Sequence, residues 1–407
     1  MKRMLSVIGV CGLLLAGCTA RRAAAPTVYD SYRGLVMAGY QGWFNAEGDS
    51  AGRGFYHYRG SSGFRPGSAT VDMWPDVSEY EKTYPTEFVM PDGRPARVFS
   101  SYDSSTVATH FRWMREYGLD GVFMQRFVSE IKGESGRRHF NKVLSSAMRS
   151  ALDYDRAICV MYDLSGVSGE DLAVIPQDMA ELSANHHIFD RNANPSYLHH
   201  NGKPLVAIWG VGFDDGRKYG LEDCAKVISR LKDMGYSVMI GVPTFWRELR
   251  EDATDDPLLH DIIRQCDIVM PWLVARYTPD TFDNFRSILR DDASWCWKEG
   301  LDYAPLVFPG FSWKNMYGHQ TLSIPRLEGK FLQTQIDYSL EMGAKMLYVA
   351  MFDEIDEGTA IFKCASEVPV DSAGTSFVAV EENLKPDHYL EIVGDAARKL
   401  KKRLRGN

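Results

Sequence analysis

Short apolar runs alternate with longer amphipathic stretches along most of this chain. Eight runs of four to six mostly apolar residues are typical of buried strands, at 35–38, 121–124, 157–161, 205–209, 237–241, 268–272, 304–308 and 346–351. Between them, helical periodicity covers 106–117, 138–152, 172–184, 221–234, 256–265, 281–298 and 326–342. Several of these helical patterns end at a glycine, the residue that most often follows the C-terminal end of a helix. Strand and helix alternating eight times predict an α/β fold, a single (β/α)8 TIM barrel over residues 30–407.

A ninth strand candidate at 97–102 complicates the count. It is short and polar on one side, so we assign it, together with 44–96, to a long loop after the first strand. The alternative architecture is an open doubly wound sheet. No G-x-G-x-x-G loop follows any predicted strand, which favours the barrel.

Composition excludes some classes of partner. The 407 residues are 45% hydrophobic and 25% charged, as in a globular protein, and the net charge of −8 argues against nucleic acid. No cysteine or histidine pattern has metal-ligand spacing, so we expect no metal and no cofactor. We also expect a monomer.

The N-terminus has the features of a bacterial lipoprotein signal. Lys2 and Arg3 precede an apolar stretch that is too short to span a membrane, and the sequence Leu-Ala-Gly-Cys ends at Cys18. This pattern predicts a signal peptide over 1–17, lipidation of Cys18 and a tether over 18–29, with the protein anchored in the bacterial cell envelope. The alternative is an ordinary secretory signal with a chance cysteine.

The C-terminal residues 396–405 form a basic amphipathic pattern. We expect a helix with a solvated face, and contact with anionic lipid near the anchor is the alternative.

Four carboxylates follow the last predicted strand, in the run Phe-Asp-Glu-Ile-Asp-Glu-Gly-Thr at 352–359. Carboxylates held close together resist ionising together, and enzymes use this to make one an acid and its neighbour a base. An acidic turn that starts a helix is the other interpretation. The pair that can converge on one cleft is Glu354 and Glu357, while Asp353 and Asp356 would cap the turn or hold the glutamates.

Barrel enzymes place their sites at the C-terminal ends of the strands. Five of the nine tryptophans fall at or just past such ends. Indole rings beside carboxylates suit a carbohydrate site, although any one tryptophan could belong to the core. The candidate substrate-binding residues are Tyr40, Trp43, Gln125, Arg126, Asp163, Trp209, Trp246, Trp272, Trp313, Asp353 and Asp356.

Two stretches of the chain resemble a known family. The run Glu-Ile-Asp-Glu-Gly-Thr at 354–359 resembles the Asn-Glu-Trp-His-Glu-Gly-Thr motif of glycoside hydrolase family 99, the endo-α-mannosidases. Residues 102–105, 110–114 and 118–121 resemble that family's segment from a Tyr-Ser-Ser loop through the first helix. Family 71, a set of α-1,3-glucanases, is a related alternative.

The resemblance implies that Glu357 is the general acid and base. It also implies that Glu354 acts from the 2-hydroxyl side of the sugar, deprotonating that hydroxyl for attack on the anomeric carbon, with retention. Asp353, Ile355 and Asp356 stand where the family has Asn, Trp and His, so mannose specificity does not transfer. The expected function is a retaining glycoside hydrolase of an α-linked glycan. The alternatives are an α-1,3-glucanase-like hydrolase and a non-catalytic glycan-binding lipoprotein.

Overall fold

The computed structural model describes residues 27–318, 322–381 and 383–406. Its main sheet is parallel and curls around a central axis. We number its strands β1 to β8 in chain order: Val36–Tyr40, Gly121–Phe127, Ala157–Asp163, Lys203–Trp209, Ser237–Val242, Ile268–Pro271, a split β7 of Asp302–Tyr303 with Leu306–Val307, and Leu347–Val349. These elements confirm the eight predicted strands.

The split in β7 closes the barrel. Its first piece pairs with β6, and its second piece pairs with β8, so the chain between them joins both edges of the sheet. The Ala304 N–H donates to Val269, and Pro305 accepts from Tyr348. β8 then pairs with β1. The α/β barrel is therefore confirmed, and an open sheet is excluded.

Helices follow the strands around the outside. The eight main ones, α1 to α8, are Ser104–Tyr117, Glu134–Tyr154, Val174–His186, Leu221–Asp233, Leu258–Ile263, Phe282–Lys298, Lys330–Glu341 and His388–Arg405. Gly118 ends α1 with φ 92°, a left-handed conformation that glycine adopts without steric cost. Short helical turns lie at Val128–Ile131, Glu170–Ala173, Lys314–Tyr317 and Leu327–Gly329.

The C-terminal helix corrects one expectation. It begins at His388, well before the predicted 396, and it is the eighth helix of the barrel, in contact with α1, α7 and β1. One face is buried through Tyr389, Leu390, Val393, Ala397 and Leu400. Only the basic face is solvated.

Alternation along the strands sorts side chains into two layers. Met37, Phe123, Met161, Met239 and Met270 point into the barrel and pack together. Their strand neighbours, among them Val36, Val122, Tyr162 and Ile240, pack against the helices. Successive strand residues face opposite sides, so this alternation decides which side chains reach the cavity at the end of the barrel.

The long segment between β1 and α1 lies outside the barrel sheet, as predicted. Strands Tyr84–Val89 and Pro95–Val98 form an antiparallel hairpin within it, so 97–102 is not a barrel strand. The 72–73 backbone N–H groups donate to the Ile355 carbonyl, which ties this segment to the acidic run.

The N-terminal predictions lie largely outside the described residues, which exclude the signal peptide and Cys18. Residues 27–29, placed in the tether, contact the barrel: Thr27 bonds Asp155, and the Tyr29 hydroxyl donates to the Asp155 carbonyl at 2.7 Å. Within the part of the chain that the structure describes, no helix is both long and apolar enough to cross a membrane.

Candidate active site

A cavity of about 310 Å³ opens at the C-terminal ends of the barrel strands. Its lining comes from the ends of β1, β2, β3, β4, β6 and β8, so it lies where the parallel strands converge. The lining residues are Gln41, Trp43, Gln125, Phe127, Asp163, Ser165, Trp209, Trp272, Met351, Glu354 and Glu357. Both predicted glutamates therefore face one cavity.

Glu354 is buried and held by two donors. The Gln41 side-chain amide donates to its Oε1, and the Thr359 hydroxyl donates to its Oε2 at 2.6 Å. Burial raises the pKa of Glu354 well above its usual range, and the neighbouring Glu357 and Asp356 charges add to this. The two donors oppose that rise because they stabilise the carboxylate.

Glu357 is half-buried, and no regular hydrogen bond to its carboxyl is found among the described residues. Burial raises the pKa of Glu357 to about 8, and the Asp356 charge adds to the rise. The Trp313 indole N–H lies near enough to oppose this pKa shift without forming a regular hydrogen bond. The surroundings of this carboxyl therefore favour its protonated form, and the group is open to a ligand.

The two aspartates lie behind the glutamates. Asp353 is fully buried and accepts from the backbone N–H groups of Gln41 and Gly42, at 2.7 and 2.9 Å. It fastens the end of β8 to the end of β1. Burial raises its pKa to about 7. Asp356 contacts the His57 ring, with Nδ1 and Oδ2 3.4 Å apart, and burial raises the pKa of Asp356 to about 8.

Trp43 presents an edge to the cavity rather than a face. Its ring stacks on His57 at a centroid distance of 3.8 Å and on Phe127 at 4.9 Å. No ring contact between His57 and Phe127 is found among the described residues, so we infer that the two rings cover opposite faces of the indole. The buried Trp43 Nε1 has no partner among the described residues. Trp43 can therefore donate to a ligand, but it cannot stack on a sugar.

Trp209 and Trp272 form the opposite wall. Their rings meet edge to face at 5.1 Å, and the Arg217 guanidinium lies over Trp209 at 5.1 Å from its centroid. Gly241, the partner of Trp209 on β5, leaves the space that this indole fills. Asp163 shares the same row of the barrel, and burial raises its pKa.

Three predicted substrate-binding residues lie away from the cavity. The Tyr40 hydroxyl bonds His110 on α1 at 2.7 Å. Arg126 is 1% exposed and paired with Asp178 on α3. Trp246 is fully buried against Trp295 of α6. The side chains of these three residues point toward the helices, outside the lining of this cavity.

Sequence reasoning missed four lining residues and one supporting ring. The lining residues are Gln41, Phe127, Ser165 and Met351, and the ring is His57. Strand alternation holds the signal for two of them, because Gln41 and Phe127 neighbour the outward-facing Tyr40 and Arg126. His57 comes from the long segment after β1, and no local pattern places it.

Among the described residues, no group of three or more histidine, cysteine, aspartate or glutamate side chains is arranged to hold a metal ion. Five cysteines are buried and free: Cys159, Cys224, Cys266, Cys296 and Cys364. A second basin of about 270 Å³, lined by Ser165, Gly166 and residues 215–219, adjoins the cavity at Ser165.

No family model and no curated protein matches this chain. Among solved structures, it is similar to a GH99 endo-alpha-mannosidase from Bacteroides thetaiotaomicron bound to bis-tris propane, with a TM-score of 0.66 and 15% identity over 92% of this chain and 99% of the other. A second structure of an enzyme so described from that organism gives 0.65 and 16%, covering 91% and 98%. A glycoside hydrolase-like protein gives 0.51 and 14%, covering 80% and 94%. At these identities the likeness establishes the fold alone, that of an α/β barrel.

Proposed function

We propose that this protein is a glycoside hydrolase that cleaves an α-linked glycan through Glu354 and Glu357. The observation that carries the proposal is the meeting of these two carboxyls in one cavity at the C-terminal ends of the barrel strands. Burial raises the pKa of both; the Glu357 charge adds to the rise at Glu354, and the Asp356 charge adds to the rise at Glu357. The similar fold of endo-alpha-mannosidase structures, aligned over nearly the whole chain, supports the same function.

The two glutamates are suited to different roles. The two carboxyls resist being charged together, and the amide and hydroxyl donors on Glu354 stabilise a negative charge there, against the rise in pKa that burial causes. Glu357 then keeps its proton, and its carboxyl is open to a glycosidic oxygen. Glu357 is the general acid, and Glu354 is the acceptor for a sugar hydroxyl.

The reaction proceeds in two steps by the route that the sequence resemblance implies. Glu357 protonates the leaving glycosidic oxygen while Glu354 takes the proton of the 2-hydroxyl, whose oxygen attacks the anomeric carbon and displaces the leaving group. In the second step Glu357 removes a proton from water, which opens the resulting anhydro sugar, and Glu354 returns its proton to O2. Two displacements at one carbon give retention. Each glutamate ends as it began.

The sugar is a neutral one in this proposal. Carboxyl, amide, hydroxyl and indole groups line the cavity, and no lysine or arginine is among its described lining residues. Asp353, Ile355 and Asp356 replace residues of the endo-α-mannosidase motif, so α-mannan and α-1,3-glucan are both candidate substrates.

A panel of glycans tests the proposal. Wild-type protein is incubated with α-mannan, α-1,3-glucan and xylan fragments, products are followed by chromatography, and affinities are measured by calorimetry. We expect cleavage of one α-linked substrate. Tight binding without any product would instead favour a non-catalytic glycan-binding protein.

We also propose that Cys18 carries a lipid that anchors the protein in the bacterial cell envelope, as a monomer. The proposal rests on the charged residues, the short apolar stretch and the Leu-Ala-Gly-Cys sequence at the N-terminus.

A further inference from the structure

Gln41 connects the two halves of the acidic cluster. Its backbone N–H donates to Asp353 Oδ1 at 2.7 Å, and its side-chain Nε2 donates to Glu354 Oε1. The side chain is 6% exposed and lines the cavity. Gln41 follows the last residue of β1, with its side chain inside the barrel.

The orientation of this amide is fixed by its neighbour. With Glu354 ionised, as the proposed function requires, turning the amide over would place its oxygen against the carboxylate, and two acceptors would meet without a proton between them. Nε2 therefore faces Glu354, and Oε1 faces elsewhere.

The Gln41 Oε1 atom has no donor among the described residues, although it is buried. A buried acceptor left without a partner costs about 1–3 kcal/mol, which is why such atoms are rare in folded proteins. An orphaned acceptor in a cavity wall indicates a ligand donor in the functional complex.

Gln125 on β2 also has a side-chain amide whose nitrogen is hydrogen-bonded and whose oxygen is not. Its Nε2 donates to the Tyr348 hydroxyl at 3.2 Å, and its Oε1 is buried without a partner. β1 and β2 pair with Tyr40 opposite Met124, so Gln41 and Gln125 occupy the next positions on neighbouring strands. Two glutamines that line the cavity thus each have a buried amide oxygen without a partner among the described residues.

We propose that Gln41 is a specificity-determining residue whose Oε1 accepts a hydrogen bond from the sugar's 3-hydroxyl, next to the 2-hydroxyl taken by Glu354. This rests on the proposed function and identifies which sugars the site takes. Vicinal free hydroxyls match an acceptor pair made of Glu354 and Gln41. Sugars that are deoxygenated or acylated at C3 are rejected, because they leave Oε1 unpaired.

The test compares one substrate with its analogue that lacks the hydroxyl. The probes are the α-linked disaccharide that wild-type protein binds or cleaves best and its 3-deoxy form. The wild type should prefer the parent sugar by about 10-fold or more, both in kcat/KM and in calorimetric affinity, because the 3-deoxy sugar leaves the buried Gln41 Oε1 without a donor. In Gln41→Met, that ratio should fall close to 1.

The matched control is Gln177→Met, an exposed glutamine on α3, which should keep the wild-type ratio. Gln41→Asn, which withdraws the amide oxygen by one bond, should lower the same ratio if Gln41→Met does not fold. An unchanged preference in folded Gln41 variants would overturn the inference.

The calorimetric arm separates this inference from the proposed function. If the protein cleaves no substrate but its binding preference for the parent sugar depends on Gln41, the proposed hydrolase activity is wrong and the role of Gln41 stands. If the protein cleaves the substrate but its preference does not depend on Gln41, the hydrolase activity stands and the role of Gln41 is wrong.

Discussion

At the residue scale, the acidic run divides by environment. All four carboxyls have a raised pKa, and burial is the first cause for each. What distinguishes them is their partners: Asp353 is bound by backbone N–H groups, Glu354 by two side chains, and Glu357 is open to the cavity. The sequence shows that the four carboxyls are close together along the chain. It does not show their hydrogen-bond partners, because several of these come from distant parts of the chain.

The raised pKa values predict an unusual dependence of stability on pH. The pKa of Glu357 rises from 4.5 to about 8, so the folded protein binds this proton more tightly than the unfolded chain does. Its contribution to stability is complete below about pH 4.5 and is lost as the pH rises through about 8. Asp353 and Asp356 act in the same direction. Burial lowers the pKa of three histidines, which has the opposite effect on stability, but only below about pH 6.5: these are His57, His110 and His139. The thermal unfolding midpoint of the wild type should therefore fall between about pH 7 and pH 9.

Removing one of these titrating groups should weaken the effect. In Glu357→Gln the fall in midpoint over the same pH interval should be smaller, whereas Glu116→Gln, at an exposed position on α1, should behave as the wild type does. An identical fall in Glu357→Gln and wild type would count against the raised pKa.

At the element scale, strand alternation explains both the successes and the errors of sequence reasoning. Apolar runs predict where strands lie, but a run that is buried on both faces does not show which residue points inward. The apolar runs therefore predict Tyr40 and Arg126 at the cavity, whereas Gln41 and Phe127 face it. The carboxyl ends of the strands were placed well enough to find Asp163, Trp209 and Trp272.

The pairing of β4 with β5 makes a prediction about Trp209. A Cβ atom added at Gly241 would lie 2.6 Å from Trp209 Cδ1 and 2.9 Å from Trp209 Cα, so this strand pair and the indole must shift. Gly241→Ala should raise KM for the glycan several-fold and change tryptophan fluorescence. Gly133→Ala, where the nearest atom is 3.6 Å away, is the control. Unaltered KM and fluorescence in Gly241→Ala would show that Trp209 does not depend on this glycine.

At the scale of the whole molecule, the count of strand–helix units predicted the barrel, while its closure could not be foreseen. β7 divides its hydrogen bonds between β6 and β8, and α8 fills the last place in the helical layer. Both depend on contacts between distant parts of the chain, such as the Tyr117 hydroxyl with Asp387 at 2.6 Å. The spacing of apolar residues within one segment does not indicate such contacts.

The proposed location in the cell envelope concerns the whole molecule. If Cys18 is lipidated, the full-length chain expressed in a bacterium should fractionate with membranes and incorporate labelled palmitate. Cys18→Ser should lose the label and appear in the soluble fraction, whereas Cys159→Ser, which alters a buried cysteine, should remain with the membranes. Membrane association of Cys18→Ser equal to that of the wild type would contradict the anchor.

The most direct measurement of the central claim is the rate of glycan cleavage by single carboxyl-to-amide variants. With the substrate that the wild type cleaves best, Glu357→Gln and Glu354→Gln should each lower kcat by about 10²–10⁴, the usual contribution of a positioned acid or base. Their circular dichroism spectra should match that of the wild type, and Glu116→Gln should keep full activity. Wild-type turnover in folded Glu357→Gln and Glu354→Gln would contradict the assignment of this pair as the catalytic residues.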